Sequence, residues 1–281
     1  MSDKVVLISG ATGKQGGAVA RSLAGKGFKL RGLTRKPGGD AAKELAALGV
    51  EIVQGDLDDA ASLKSALAGA WGAFGVQNTW EAGVEREEEQ GKRFAALAKE
   101  VGVSHFVYTS VGSADEKTGI PHFDNKSRVE DTVRSLSFAS HVILRPVFFM
   151  ENVVSPWFLQ GDKVMAGLKP TTKVQMVAVE DIGRIGAAAF LRASELNRRE
   201  IELAGDSVDM PTATKSIAAA LGKNLEFVSL PIEAVRQHSQ DMALMLEWFE
   251  RTGYSADISA LDKEFGPMLR FEAWVRKYVK P

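Results

Sequence analysis

The sequence predicts an α/β fold, a doubly wound parallel sheet with a smaller, mostly helical C-terminal lobe. Three observations carry that prediction. Short strand-like runs alternate with helical patterns along the first half of the chain, as β-α-β crossovers require. Val5, Val6, Leu7 and Ile8 are continuously apolar, which suits a strand covered by helices on both faces. A glycine-rich turn then joins this run to the first helical pattern.

The elements follow in order. Residues 4–9 (KVVLIS), 28–34 (FKLRGLT), 51–54 (EIVQ), 71–77 (WGAFGVQ), 104–110 (SHFVYTS) and 141–147 (HVILRPV) read as strands. Between them, residues 14–24, 40–48, 60–68, 83–101 and 123–135 read as helices. Residues 148–175 carry aromatics, Pro156 and Pro170, and lack a clean period. A strand at 174–179 and a helix at 181–192 resume the alternation, and 200–203 is a further strand. From Pro211 onward the pattern is mainly helical, clearest at 216–221, 232–253 and 271–279. The expected division is a sheet domain of residues 1–147 plus 174–205, and a lobe of 148–173 plus 206–281.

Composition narrows the function classes. The chain has 281 residues, 45% apolar and 25% charged, enough to bury a core without covalent staples. Its 35 basic and 36 acidic residues leave a net charge of -1, so no cationic excess points to nucleic acid or an anionic membrane. Cysteine is absent, which excludes disulfides, a thiolate nucleophile and Cys-based metal sites. The histidines, His105, His122, His141 and His238, show no HExxH spacing, so no metal site is expected. The longest uncharged run, residues 65–80, has 16 residues, short of the roughly 20 that span a bilayer. The N-terminus lacks a secretory pattern, and a cytoplasmic protein is expected.

Gly10-Ala11-Thr12-Gly13-Lys14-Gln15-Gly16 lies between the first strand and the first helix. Gly10 permits the tight turn, Gly13 lets backbone approach a pyrophosphate, and Gly16 lets helix pack on sheet. The helix N-terminus, with Thr12, Lys14 and Gln15, then faces the phosphates. Arg35 ends the second strand, 19 residues beyond Gly16, where NAD-binding folds commonly carry an acid. Here Arg35 and Lys36 stand instead, and a guanidinium suits a 2′-phosphate. NADP(H) is therefore expected over NAD(H). After the third strand, Asp56 and Leu57 either receive the adenine or cap the next helix, as Asp58 or Asp59 also could. Gln77, Asn78 and Thr79 end the fourth strand at the same edge and are expected to line the cofactor's ribose and phosphate.

Together GATGKQGG (10–17), TRKP (34–37), VQGDLDD (53–59), YTSVG (108–112), HFDNK (122–126), RPVFFMEN (145–152), EWFERTGY (247–254) and FEAW (271–274) resemble the NmrA-like family of atypical short-chain dehydrogenases/reductases. The resemblance implies a Rossmann domain with NADP(H) at the glycine loop and a cleft against the C-terminal lobe. It also implies two kinds of member, cofactor-occupancy sensors that regulate other proteins and reductases that transfer hydride.

Typical short-chain dehydrogenases use Ser, Tyr and Lys. Ser110 and Lys126 stand at the expected positions, but His122 takes the place of the tyrosine. At i and i+4, His122 and Lys126 share a helix face. Lys126 is expected to hold the cofactor ribose, with acid/base work the lesser role; His122 is either a proton donor or a packing residue. Pro146 and Phe149 are expected beside the nicotinamide. Phe148, Asn152 and Trp157 are expected to shape a mostly apolar substrate pocket, or else a packed core.

The acidic run 85–89 reads as a solvated helix face. The missing tyrosine leans the reading to a redox sensor with a regulatory protein partner and little turnover. An NADPH-dependent reductase of a small quinone or carbonyl acceptor is the alternative. The chain is expected to be a monomer or homodimer.

Overall fold

The structure, a computed structural model, describes residues 4–281. Strand and helix alternate at first: β1 (Val5–Ile8), α1 (Lys14–Leu23), β2 (Lys29–Thr34), α2 (Asp40–Ala47), β3 (Glu51–Gln54), α3 (Ala60–Leu67) and β4 (Ala70–Gly75). Next come α4 (Thr79–Ala82), α5 (Val84–Glu100), β5 (His105–Thr109), α6 (Pro121–Ser135), β6 (Ser140–Pro146), β7 (Phe148–Phe149) and α7 (Met150–Val153). Then follow β8 (Leu159–Gln160), β9 (Lys163–Ala166), β10 (Lys173–Val177), α8 (Val179–Leu191), β11 (Glu200–Leu203) and β12 (Asp206–Asp209). The chain closes with α9 (Met210–Leu221), β13 (Glu226–Ser229), α10 (Ile232–His238), α11 (Gln240–Arg251), α12 (Ile258–Phe265) and α13 (Phe271–Tyr278).

Seven strands form one sheet in the order β3-β2-β1-β4-β5-β6-β11, every neighbouring pair parallel. This is a Rossmann-type sheet. Its order reverses between β1 and β4, which opens a crevice beyond their carboxyl ends. Val6, Leu7 and Ile8 have no solvent exposure because helices cover both faces. On one face α1 and α8 approach closely: a Cβ on Gly183 would lie 2.6 Å from the Ala18 backbone. On the other, Phe94, Phe106 and Val129 join α5, β5 and α6 into a second core.

The lobe has its own core, centred on Phe148, Phe158, Met245, Trp248, Phe249 and Trp274. Two small sheets brace it. β10 pairs with β7 in parallel and with β12 antiparallel; β9 pairs with β13 in parallel and β8 antiparallel. The segment 174–205 thus serves both regions, β10 in the small sheet and β11 in the large one.

One expected helix holds and another is broken. The helix expected at 83–101 is α5, and Gly83, with a φ of +84°, separates it from the short α4, which the pattern does not mark. The one at 232–253 stops at Ser239, whose extended backbone ends α10 and whose hydroxyl accepts from Met242 N–H at 3.2 Å to start α11. A third runs longer than expected, since Asp209 caps α9 by accepting from Thr212 N–H at 2.8 Å. Among the described residues, no helix is long and apolar enough to cross a membrane. No group of three or more His, Asp or Glu there could hold a metal ion.

Two histidines are core residues. His105 bonds Ser140 and the Ala189 carbonyl and stacks on Trp71, and burial pushes its pKa down to about 4. Burial also lowers His141.

Candidate active site

The glycine loop sits at the switch point between β1 and β4. Gly10 has φ +55°, and a Cβ there would lie 2.7 Å from Val76 Cγ1. A Cβ on Gly16 would lie 2.4 Å from the Gly10 carbonyl oxygen, so no larger residue fits without moving backbone. Gly13 is the N-cap of α1 and brings no capping side chain, and the first turn holds no acid. The positive end of α1 is therefore left to a ligand. Lys14 and Lys36 are exposed and have no carboxylate partner among the described residues. Side chains tie the loop to its neighbours: Thr109 Oγ1 donates to Gln15 Oε1 at 2.7 Å, and the Thr12 and Thr34 hydroxyls lie 3.4 Å apart. Backbone that only glycine allows, an uncapped helix start and unpaired cations fit a dinucleotide pyrophosphate.

Beside the loop, Arg35, Gln54, Gly55, Asp56, Asp59 and Ser62 line an open hollow of about 440 Å³. Asp59 is the cap of α3, its Oδ1 accepting from Ala61 N–H at 3.0 Å. Asp56 folds its own turn instead, accepting from Asp58 N–H at 3.0 Å while it walls the hollow. Leu57 is half-buried and its carbonyl accepts from Arg93. Arg35 is exposed and ion-paired with Glu81 of α4.

Across the crevice the charges are buried in pairs. The Lys126 ammonium of α6 meets Glu87 of α5, with side chains 12% and 2% exposed. The same carboxylate accepts from the Thr79 hydroxyl and from Asn125 Nδ2 at 2.8 Å. Burial pushes Glu87 up, but the Lys126 charge and these donors outweigh it and hold the carboxyl below its usual range.

The acidic run 85–89, expected as a solvated face, thus holds one buried member, Glu87. The signal that finds it is helical: Glu87, Gln90, Gly91, Phe94 and Ala98 share the buried face of α5, so Phe94 reads back one heptad to Glu87.

His122 is tied elsewhere. Its Nδ1 and its backbone N–H both donate to Asp241 of α11, the latter at 3.1 Å. A carboxylate partner places the hydrogen on Nδ1 and leaves Nε2 without a hydrogen bond among the described residues. Trp80 packs on the imidazole at 5.3 Å. Asp241 had no signal in the sequence, since it lies 119 residues from its partner.

Several polar atoms at this edge have no partner in the protein. They are Ser110 Oγ, both side-chain polar atoms of Gln77, and Asn125 Oδ1, all buried. Buried polar groups normally find partners, and here a ligand or water is the remaining source. Asn78 is already used, since Oδ1 caps α4 by accepting from Trp80 N–H at 3.2 Å.

The expected pocket residues divide. Pro146 and Phe149 stand at the end of β6 and in β7, with Phe149 half-buried against the sheet core. Asn152 is half-buried, and its carbonyl accepts from Ser155. Phe148 packs between Phe158 and Phe249 in the lobe core, and Trp157 is 73% exposed.

Comparison with known proteins places this geometry. The sequence model of the NmrA-like family matches residues 2–271. An NmrA-like family domain-containing oxidoreductase, FrzB of Cladobotryum sp, is 33% identical over 226 residues, 70% of this chain and 67% of its own. Among solved structures, the negative transcriptional regulator NmrA in complex with NAD superposes with a TM-score of 0.82 at 19% identity, over 99% of this chain and 96% of its own. The NADPH-dependent quinone oxidoreductase QOR2 of Escherichia coli, complexed with NADPH, gives 0.80 at 23%, over 97% and 99%. Likeness at these identities speaks for the fold.

Proposed function

The chain belongs to the NmrA-like family, and on that premise we propose that it is an NADP(H)-dependent oxidoreductase acting on a small quinone or carbonyl compound. One observation carries the proposal. The missing tyrosine is answered by two coupled pairs, the Lys126–Glu87 ion pair and the His122–Asp241 hydrogen bond, at the carboxyl edge of the sheet.

Gly10, Thr12, Gly13, Lys14, Gln15 and Gly16 would hold the pyrophosphate, and Arg35 with Lys36 the 2′-phosphate. Gln77 and Ser110 would meet the ribose and nicotinamide end with the atoms that lack protein partners, and Lys126 would meet it beside its Glu87 partner. NADPH, when bound, supplies a hydride. Glu87 pins the Lys126 side chain at the crevice through their ion pair. Held there, Lys126 would orient the acceptor and stabilise developing negative charge. Asp241 orients His122 as the aspartate of a triad orients its histidine, which leaves Nε2 as the side that exchanges a proton with the acceptor.

The test is NADPH oxidation against quinones, aldehydes and ketones, with Lys126→Met and His122→Phe alongside. Turnover that both substitutions reduce, with NADPH affinity retained in His122→Phe, is the expected result. No turnover with tight NADPH binding would overturn it.

That outcome would select the second reading, a redox sensor for a protein partner. What favours it is the histidine at the tyrosine position together with Trp80 and Trp157, which are 58% and 73% exposed.

A further inference from the structure

Arg35 is the cation that the 2′-phosphate requires, yet it is already engaged. Its Nη2 donates to Glu81 Oε1, both side chains being about half exposed. The other acids near the guanidinium are committed elsewhere. Asp56 accepts from Asp58 N–H, and Asp58 pairs with Arg86 and accepts from Gln90. Glu81 has no other side-chain partner among the described residues. Lys36, the next residue, pairs with no carboxylate among the described residues. The two cations at the end of β2 are thus treated differently: one is neutralised by the protein and one has no ion-pair partner among the described residues.

We propose that Glu81 sets the preference between NADP(H) and NAD(H), its carboxylate competing with the 2′-phosphate for the Arg35 guanidinium. This rests on the reading that Arg35 meets that phosphate. Glu81 occupies Nη2, a nitrogen shared by both bidentate edges of the guanidinium fork, so a 2′-phosphate held bidentately competes with Glu81 for that nitrogen. NAD(H) lacks the phosphate and leaves the pair intact. The protein therefore loses part of its NADP(H) affinity to its own carboxylate and loses none for NAD(H). The position of Glu81 strengthens the argument. It lies in α4, a helix of 4 residues held by the Asn78 cap and ended at Gly83, so its carboxylate is presented to Arg35 on a short, defined arm.

The experiment measures NADPH and NADH dissociation constants, by nucleotide fluorescence or calorimetry, for wild type, Glu81→Gln, Glu81→Ala, Arg35→Ala and the Arg35→Ala/Glu81→Gln double variant. Glu81 is exposed, so these changes spare the core, and a thermal melt on each sample verifies it. Exposed ion pairs are weak, so Glu81→Gln should tighten NADPH by about two- to fivefold. NADH should change by less than about 1.5-fold, since no phosphate competes there. The gain should shrink at high salt and vanish in the Arg35→Ala background.

An unchanged NADPH constant in both Glu81 variants overturns the proposal. So does an equal gain for NADH, or a gain that persists without Arg35, because each means that Glu81 acts on the cofactor as a general charge or not at all. Failure of the underlying reading looks different. There, Arg35→Ala weakens NADPH and NADH alike, or wild type binds neither, and the proposal falls with it.

Discussion

The two sides of the crevice are built from different materials. On the β1–β2 side the crevice wall is mostly backbone, with Gly10, Gly13 and Gly16 opening the loop and Lys14 and Lys36 without an ion pair among the described residues. On the β4–β6 side it is side chain against side chain, with Lys126 on Glu87 and His122 on Asp241. A fixed, repeating ligand part such as a pyrophosphate is met by a helix end and amides, which need no counter-charge. Chemistry on a variable acceptor needs placed charges, and a charge taken out of water needs a partner. The difference teaches that substitution should act by shape on one side and by charge balance on the other.

The largest effect expected is on the backbone side. Gly16→Ala drives a methyl to 2.4 Å from the Gly10 carbonyl oxygen and 2.5 Å from that of Ser9. NADPH affinity should fall at least about 100-fold, and stability by about 2–4 kcal/mol. Calorimetric titration and a denaturant melt measure both. Unimpaired binding would mean that the loop does not cradle a phosphate, and the contrast between the two sides would collapse.

Next comes Glu87→Gln, which leaves the Lys126 ammonium half-enclosed without its counter-ion. The cost should be about 2–4 kcal/mol, since breaking a buried pair strands a charge. Glu87→Gln/Lys126→Met should recover much of it, because both charges are then gone. The pH dependence has a definite sign. A carboxyl lowered in the folded state contributes stability above its unfolded value, about 4.3, and loses it as pH falls through the lower folded value. Wild type should therefore lose stability on acidification below about pH 4.3, and Glu87→Gln should lose less over that window. Urea melts from pH 3 to 7 decide it; parallel curves for the two proteins would remove Glu87 from the pair.

Arg35→Ala belongs to the backbone side by position but acts by charge. NADPH should weaken by about 10- to 30-fold and NADH by less than about twofold, the value of one charge-assisted contact. Equal losses for both nucleotides would remove Arg35 from the 2′-phosphate.

Smallest is Asp241→Asn. It keeps a hydrogen-bond acceptor for the α6 N-terminus and should cost about 1 kcal/mol. Its sharper readout is the imidazole tautomer of His122 by ¹⁵N NMR. Wild type should show hydrogen on Nδ1 at high pH, and the variant a mixture. An unchanged tautomer and an unchanged melt together would show that the lobe does not orient His122.

Much of the fold was legible because its signals are local. Continuous apolar β1, the glycine turn and the period of α1, α2, α3, α5 and α6 each speak within about ten residues. The lobe was less legible for the converse reason. Its strands have 2–5 residues, too few to show a period, and they pair across long gaps, β10 with β12 and β9 with β13. The break at Ser239 is not legible because serine is tolerated within a helical pattern until a cap claims it.

The site divides in the same way. By itself the sequence determined the parallel sheet, the place of the crevice and the glycine loop, since apolar period and freedom at φ belong to a residue and its near neighbours. Which charges meet was decided only by the tertiary structure. Glu87 in an acidic run finds Lys126, Asp241 finds His122 across the lobe, and Glu81 finds Arg35. The worth of a charge depends on how much water its surroundings remove and on which opposite charge they bring near, and both are properties of the packed chain rather than of any spacing along it.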